Sequence, residues 1–391
     1  MISQRLKQLR QARGLSLEAL AAAMGGIVTK QALSKYEQGK ARPSPVVLNK
    51  LAETFSVKAA HLWSKPTVHV QFIAYRKLSG LPQKEQAKIE GLVRHTLEER
   101  ICFQELTQQP TAADLPIQAC RVDQLEDVER AAESIRKQWS LGRDPIASVV
   151  GVLEGRLIHV LQIDVGRKFD GIAAVAYDDS KRVAGAAVVT RRGVAGERQR
   201  LNLTHELGHL VLNISKRVDE EKAAFRFGAA FLAPAELMYQ EIGAKRAFIL
   251  PEELLLLKRR FGMSLQALLY RLRDLGIITE SYYKKWCVDI NRLGWRTREP
   301  GELTPEQPQW LRQHVLRALA EGMVTREEAE KKLGEAIEGS LPLSLIERRA
   351  FMKLSLEERR KILAEQAEKM MDHYKQDSEW KDLQAGDLVE Y

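Results

Sequence analysis

The sequence predicts a multidomain, mainly α protein with an N-terminal all-α bundle, a central α+β domain with a small sheet, and a helical C-terminal region. Three observations support this prediction. A chain of 391 residues is too long for one simple core, so two or three domains are expected. Apolar residues recur at helical spacing in most of the chain. Three short runs rich in Val and Ile are separated by turn residues, which is typical of strands.

The composition is that of a globular protein from a reducing compartment. Apolar residues make up 45% of the chain and charged residues 29%, which excludes a disordered or fibrous protein. Every apolar run is too short to cross a bilayer, and the basic N-terminus lacks the apolar core of a secretory signal. The three cysteines are far apart and form no CxxC pair. We therefore expect a cytoplasmic protein without a membrane partner.

Positive charge is concentrated at the N-terminus. Residues 1–64 contain ten Lys and Arg against three acidic residues, so this segment holds most of the net charge of +9. Such a small basic module is typical of proteins that bind a phosphate backbone. The alternative is a soluble surface with no nucleic-acid partner.

Residues 1–64 are predicted to form four or five short helices. Apolar residues recur at i, i+3, i+4 and i+7, and glycines separate the segments. Three residues are well placed to cap helices: Ser16, Thr29 and Ser44. The stretch 17–38 is interpreted as helix, turn and helix.

The stretch GLSLEALAAAMGGIVTKQALSKYEQGKARPS resembles the lambda-repressor-type (XRE) helix-turn-helix, and the likeness covers residues 1–63. The resemblance implies a double-stranded DNA operator, a recognition helix at Thr29–Glu37 and a structural Arg10–Glu37 pair. A homodimer on a two-fold site is expected, and a bundle that binds protein is the alternative. The resemblance implies that four residues face the major groove: Lys30, Gln31, Ser34 and Lys35. It implies that Lys40 and Arg42, on the loop after this helix, contact phosphates.

The next segment, 65–124, is predicted to be a helical connector. A domain with a small sheet follows over 125–300. Its strands are predicted at Leu157–Val165, Ala173–Tyr177 and Ala184–Thr190.

The most informative stretch is GERQRLNLTHELGHLVLN, which contains His205, Glu206 and His209. Two histidines four residues apart lie on one face of a helix and can bind one cation, with Glu206 beside them. The apolar stripe of this helix lies on roughly the opposite side. The pattern therefore indicates a metal site with a general base; a helix hairpin with surface charges is the alternative.

A catalytic zinc normally has three protein ligands and one open position. Glu221 could supply the third ligand, since it shares a helix face with small residues that would let two helices approach closely. Glu220 and Asp219 are rivals on spacing alone.

The region 125–300 resembles the ImmA/IrrE metallopeptidases, zincin-like proteins that are often fused to XRE modules. The likeness rests on LGRDPI, the strand ending in AAVVT, GERQRLNLTHELGH, and the E-x-x-A-x-x-F pattern closed by Pro234. It implies that His205, His209 and Glu221 bind the metal and that Glu206 is the catalytic base. The implied cofactor is Zn²⁺, with Mn²⁺ as an alternative. Phe225 and Thr190 stand where Asn is common in the family.

The implied activity is zinc-dependent endopeptidase cleavage of a repressor or antitoxin. We also expect that Ala184–Thr190 pairs by its edge with an extended substrate. The alternative function is a non-enzymatic antitoxin or transcriptional repressor in which the metal site only stabilises the fold.

Two helical segments end the chain. Residues 301–347 are predicted to form a helical pair with Thr325 as a cap, and 348–391 a charged helix followed by an acidic, aromatic tail. The tail resembles a segment of small bacterial antitoxins, which implies a toxin as partner. The anchoring residues would be Trp380, Leu383, Leu388 and Tyr391.

Overall fold

A computed structural model of the chain describes residues 2–64, 66–73, 81–107, 115–166, 169–337 and 351–376. The chain divides into two compact units, Met1–Leu311 and Arg312–Tyr391. The fold is mainly helical with small sheets, as predicted. Within the described ranges, every helix is too short or too polar to cross a bilayer.

The N-terminal basic module is a bundle of five helices. Ser16, Thr29 and Ser44 each accept a hydrogen bond from a backbone N–H in the first turn of the following helix, which confirms the predicted caps. Arg10 donates to both carboxylate oxygens of Glu37 at 2.6 and 2.9 Å, so this expected pair is present. The helices are α1 (Ile2–Ala12), α2 (Leu17–Ala23), α3 (Lys30–Glu37), α4 (Pro45–Thr54) and α5 (Ala59–Trp63).

The segment predicted as a helical connector contributes to the main sheet. It contains strand β1 (His69–Ile73), the long helix α6 (Gln83–Leu106) and the short strand β2 (Cys120–Val122). Most β1 side chains are partly or fully exposed because the strand lies at the edge of a sheet. Its short, half-polar sequence therefore lacks the apolar run by which the other strands were recognised.

The main sheet has four strands in the order β1-β4-β5-β3. Helices α7 (Asp127–Gln138) and α8 (Val149–Glu154) follow β2 in the chain and precede β3, β4 and β5. Strand β5 pairs antiparallel with β4 and parallel with β3, and β1 pairs antiparallel with β4. The three predicted strands are present with small shifts at their ends: β3 (Ile158–Ile163), β4 (Gly171–Tyr177) and β5 (Val183–Arg191).

This order corrects the expectation that Ala184–Thr190 binds a substrate by its edge. From Ala186 to Thr190 both edges of β5 are already paired, one with β4 and the other with β3. Strand addition requires unpaired backbone groups, and β5 is an inner strand. The periodicity of a strand does not reveal its position within a sheet.

Two helical layers cover the sheet. Helix α6 packs on one face against Ile172, Ala174 and Val189, among others. Helix α9 (Gly196–Val211) packs on the opposite face with α7 and α10 (Glu220–Leu232). Strand β6 (Leu212–Ile214) pairs with β2 in a second, two-stranded sheet. The unit continues through α11 (Ala235–Ile242), α12 (Pro251–Phe261), α13 (Leu265–Asp274) and α14 (Glu280–Arg292).

Buried charges fix the start of α9. Lys258 is fully buried and donates hydrogen bonds to Glu197 at 2.6 Å and to Glu299 at 2.8 Å. The extended segment after Glu299 follows the same surface, since Gly196 N donates to Leu303 O at 2.8 Å. These contacts hold in place the helix that carries the HELGH motif.

The described part of the second unit is helical. Most of helix α15 (Trp310–Ala320) belongs to this unit, and α16 (Arg326–Leu333) begins at a capping box of Thr325 and Glu328. Both helices lie within 301–347, where the sequence predicts a helical pair, and Thr325 is the predicted cap. Helix α17 (Leu356–Gln376) follows. The tail residues expected to anchor a toxin lie outside the described residues.

A buried ion pair joins the N-terminal bundle to the sheet domain. Arg5 on α1 donates two hydrogen bonds to Glu98 on α6, one of them at 2.8 Å, and both residues are buried. Gly91 allows this approach, because a Cβ there would lie 2.6 Å from Ala12 N. Burial opposes ionisation of Glu98, but hydrogen bonds from Arg5 and Thr67 N and the charge of Arg5 hold the pKa of Glu98 below its usual value.

We predict that Glu98→Ala destabilises the protein by about 3–5 kcal/mol, because it leaves Arg5 buried without its partner. The lowered pKa means that this stabilisation is complete above the unfolded carboxyl pKa of about 4.3 and is lost as the pH falls below it. Thermal unfolding of the full chain at pH 7 and pH 3.5 measures both effects. Glu105→Ala, an exposed acid on the same helix, is the control. Equal melting temperatures for the two variants at pH 7 would contradict the prediction.

Candidate functional site

Helix α9 places the three polar residues of its motif inside the protein. His205, Glu206 and His209 are each less than 5% exposed. Leu203, Leu207 and Leu210 of the same helix are fully buried in the core that includes the sheet. The histidines lie beneath α10, and the ring of Phe225 lies 4.1 Å from that of His205. Phe225 is half exposed, so this ring lies at the surface of the site.

Possible ligand atoms of three residues, His205, His209 and Glu221, lie close together. His205 Nε2 lies 3.2 Å from His209 Nε2 and 3.4 Å from Glu221 Oε2, and His209 Nε2 lies 3.5 Å from Glu221 Oε1. Ligands at about 2.0–2.1 Å from a tetrahedral zinc ion are about 3.3 Å apart. Within the described residues, this is the one group of three His, Cys, Asp or Glu residues arranged to hold a metal ion. Each carboxylate oxygen of Glu221 lies at about this spacing from one imidazole nitrogen, so the three side chains are close enough to hold one metal ion.

The approach of α9 and α10 depends on two glycines. A Cβ on Gly228 would lie 3.0 Å from both His205 N and Thr204 Oγ1. A Cβ on Gly208 would lie 3.2 Å from Ala224 Cα. Both distances are shorter than ordinary van der Waals contact, so larger residues would force the helices apart. The small residues that the sequence indicated on this face allow Glu221 to reach the histidines.

The three acids at the start of α10 have different contacts. Glu221 joins the two Nε2 atoms, whereas Glu220 Oε1 lies 3.3 Å from His209 Nδ1 on the other side of that ring. Asp219 accepts a hydrogen bond from Lys222 N and caps the helix. The geometry thus favours Glu221 over the two rivals that spacing alone left open.

A network of charges holds α10 against its neighbours. Glu129 on α7 accepts a hydrogen bond from Arg271 on α13 at 2.8 Å and another from Arg226 on α10 at 3.2 Å. Burial opposes ionisation of Glu129, but the two arginines hold its pKa below the usual value. This network fixes α10, and with it Glu221, relative to the core. Local sequence patterns do not indicate this network, because its members are separated by up to 142 residues.

The N-terminal bundle presents the other group of predicted site residues. The side chains of Lys30, Gln31, Lys35, Lys40 and Arg42 are exposed on α3 and the loop after it. Ser34 is half-buried and accepts a hydrogen bond from Gln38 Nε2 at 3.1 Å, while Leu33 faces the core. Lys30 begins α3 and lies 3.6 Å from Glu18, Lys35 lies in the last turn of α3, and Lys40 and Arg42 follow its C-terminus.

Comparisons with known families agree with both regions. Residues 6–62 match the helix-turn-helix family model, and residues 176–273 match a peptidase family model described as the IrrE N-terminal-like domain. The chain joins a helix-turn-helix domain to an IrrE N-terminal-like domain. The three possible ligands and Glu206 all lie within the second match. None of the curated proteins matches the chain.

Outside both matches lies a part of the site that sequence reasoning missed. Gly171, the first residue of β4, precedes the IrrE-like match, and an ideal Cβ built on it would lie 2.9 Å from Glu206 Oε1. Gly171 therefore borders the predicted base. A glycine at the start of an apolar strand was its only signal in the sequence. The family matches do not test the boundaries predicted for the five segments of the chain (1–64, 65–124, 125–300, 301–347 and 348–391), and these boundaries stay predictions.

We predict that Glu221→Gln weakens zinc binding by more than about 100-fold, beyond the roughly 10–100-fold loss typical of outer-shell residues. Glu220→Gln is the matched control, because its side chain is equally exposed at 49% but lies behind the His209 ring. We expect the Glu220→Gln control to lose about tenfold in zinc affinity. Zinc titration against a chromophoric chelator measures both affinities. Similar losses for the two variants would show that the position of Glu221 does not matter for binding.

Proposed function

We propose that this protein is a DNA-binding transcriptional regulator with zinc-dependent endopeptidase activity, and that it cleaves a repressor or antitoxin protein. The observation that carries the proposal is the meeting of His205, His209 and Glu221 beside the buried Glu206. The match to a peptidase family over the same residues supports it.

The three residues suit zinc chemically. Two imidazole nitrogens and one carboxylate form a common donor set of catalytic zinc sites, which keep a fourth position open for water or substrate. A zinc ion held there would act as a Lewis acid on the scissile carbonyl and would make a water molecule more acidic. Phe225, whose ring lies against that of His205, is half exposed. This exposure supports a metal site that a polypeptide can reach from the surface.

Glu206 is the proposed general base. Its carboxylate takes a proton from the attacking water and gives it to the nitrogen of the scissile bond. The product then leaves as a neutral amine and not as an amide anion, which is a poor leaving group. A metal site that only stabilises a fold needs no carboxylate beside its histidines. The position of Glu206 next to His205 on α9 therefore favours peptide hydrolysis over a purely structural site.

The helix-turn-helix domain would bring this activity to proteins on DNA. Its exposed cations can contact phosphates, and Gln31 and Lys30 can reach base edges in the major groove. Both the DNA-facing surface and the candidate metal centre belong to the first compact unit. Binding to an operator would raise the local concentration of the peptidase near DNA-bound repressors. A homodimer would match a two-fold operator.

We predict that Glu206→Gln lowers the rate of peptide hydrolysis by about 100-fold or more and leaves zinc affinity unchanged, because the amide cannot accept the proton. A fluorescence-quenched peptide library with the zinc-loaded full chain measures the rate. Glu236→Gln, an exposed acid on α11, is the control. A Glu206→Gln variant that hydrolyses as fast as the parent chain would favour a non-enzymatic regulator with a structural metal.

We predict that the double variant Lys30→Ala and Gln31→Ala weakens specific DNA binding by several-fold to a hundredfold, as expected for the loss of base contacts. The operator is first selected from a pool of random double-stranded oligonucleotides with the parent chain, and affinities for it are then measured at fixed salt. Lys84→Ala, an exposed lysine on α6, controls for loss of charge. An unchanged affinity of the double variant would refute the assignment of α3 as the recognition helix.

A further inference from the structure

The end of the main sheet lies directly against Glu206. Gly171 begins β4 and is paired with Thr190 on β5 in the antiparallel register. Alternate residues of these strands, Ala173 and Val188, pack in the core that includes α9. Side chains alternate between the two faces of a sheet. Positions 171 and 190 therefore face α9, the helix that carries the proposed base.

Gly171 leaves room for the carboxylate. An ideal Cβ at this position would lie 2.9 Å from Glu206 Oε1, 3.1 Å from Glu206 Cγ and 3.0 Å from Val189 O. A methyl group there would have to displace either the Glu206 side chain or the backbone of β5. The absence of a side chain at Gly171 is thus what lets the carboxylate occupy the end of the sheet.

Thr190 faces the same space with a buried hydroxyl. Its side chain is fully buried, and its Oγ1 makes no hydrogen bond to any residue that the structure describes. Cβ atoms of directly opposed residues in an antiparallel pair are about 4.5–5.5 Å apart. The hydroxyl therefore lies beside the gap that Gly171 leaves. A buried hydroxyl without a hydrogen bond destabilises the folded state, so we expect a polar partner for the Thr190 hydroxyl.

We infer that Thr190 is a positioning residue for Glu206. Rotation of the Glu206 side chain within the gap at Gly171 brings one carboxylate oxygen to the Thr190 hydroxyl, which donates a hydrogen bond to it. The other oxygen then faces the reacting water, so the base is held in one orientation. This inference rests on the proposed function, in which Glu206 transfers the proton.

Two substitutions at Thr190 test the hydroxyl. Valine has the shape of threonine without the hydroxyl, and serine keeps the hydroxyl. With the zinc-loaded full chain and the quenched peptide library, Thr190→Val should lower kcat about tenfold with KM and zinc affinity unchanged, and Thr190→Ser should stay within about twofold of the parent. An unchanged kcat for Thr190→Val, together with a higher melting temperature, would show an idle hydroxyl and overturn the inference. A loss of zinc affinity would also overturn it.

A second experiment tests the contact without any hydrolysis. Gly171→Ala should lower the melting temperature of the full chain more in the parent than in a Glu206→Ala background, because two of the three close atoms belong to Glu206. Gly185→Ala is the matched control, since its Cβ would meet only the side chain of Ile101, which lies on α6. Gly185→Ala should lower the melting temperature equally in the parent chain and in the Glu206→Ala background. If Gly171→Ala also lowers it equally in both, the proposed contact between Gly171 and Glu206 is contradicted.

The two failures are distinguishable. If the parent chain hydrolyses no peptide, the proposed function fails, and the Thr190 inference is then decided by thermal unfolding. A drop in melting temperature for Thr190→Val that disappears in the Glu206→Ala background would support the hydrogen bond. The same change in both backgrounds would overturn it.

Discussion

The distance between α9 and α10 is the constraint on which the candidate metal centre depends. Gly208 and Gly228 let the two helices approach until a Cβ on either residue would be in steric conflict with the neighbouring helix. At that separation the two carboxylate oxygens of Glu221 lie 3.4 Å from His205 Nε2 and 3.5 Å from His209 Nε2. Metal coordination tolerates errors of about 0.2 Å, so a small outward shift of α10 would open the site.

Buried charges hold this arrangement from outside. Glu129 and its two arginines fix α10, and Lys258 with its two acids fixes the start of α9. Pairs of this kind do not add much stability, because desolvation offsets most of their attraction, but breaking one leaves a charge without a partner. Their effect is to make one relative placement of the helices strongly preferred. The Arg5–Glu98 pair does the same for the helix-turn-helix domain, which it joins to the helix behind the sheet.

The sheet contributes to the site at one end. Strand β5 is an inner strand and has no free edge for a substrate along its paired length, so the sheet does not act on a polypeptide through that strand. Its contribution is local, since Gly171 at the start of β4 borders Glu206 and is paired with Thr190 on β5. His205 and His209 lie close to Glu221 on α10, whereas Glu206, the proposed base, lies close to Gly171 of the sheet. Different layers of the domain therefore surround the three polar residues of this helix.

Features that depend on near neighbours in the chain could be predicted from the sequence alone. The caps at Ser16, Thr29 and Ser44, the pair of histidines one helical turn apart, and the three apolar strands all follow from spacing of a few residues. Only the tertiary structure decided which of three consecutive acids reaches the histidines, which strand is internal, and what lies against Glu206. Those outcomes depend on contacts between residues far apart in the chain, such as Gly228 with His205 and Gly171 with Glu206, and local spacing carries no information about them.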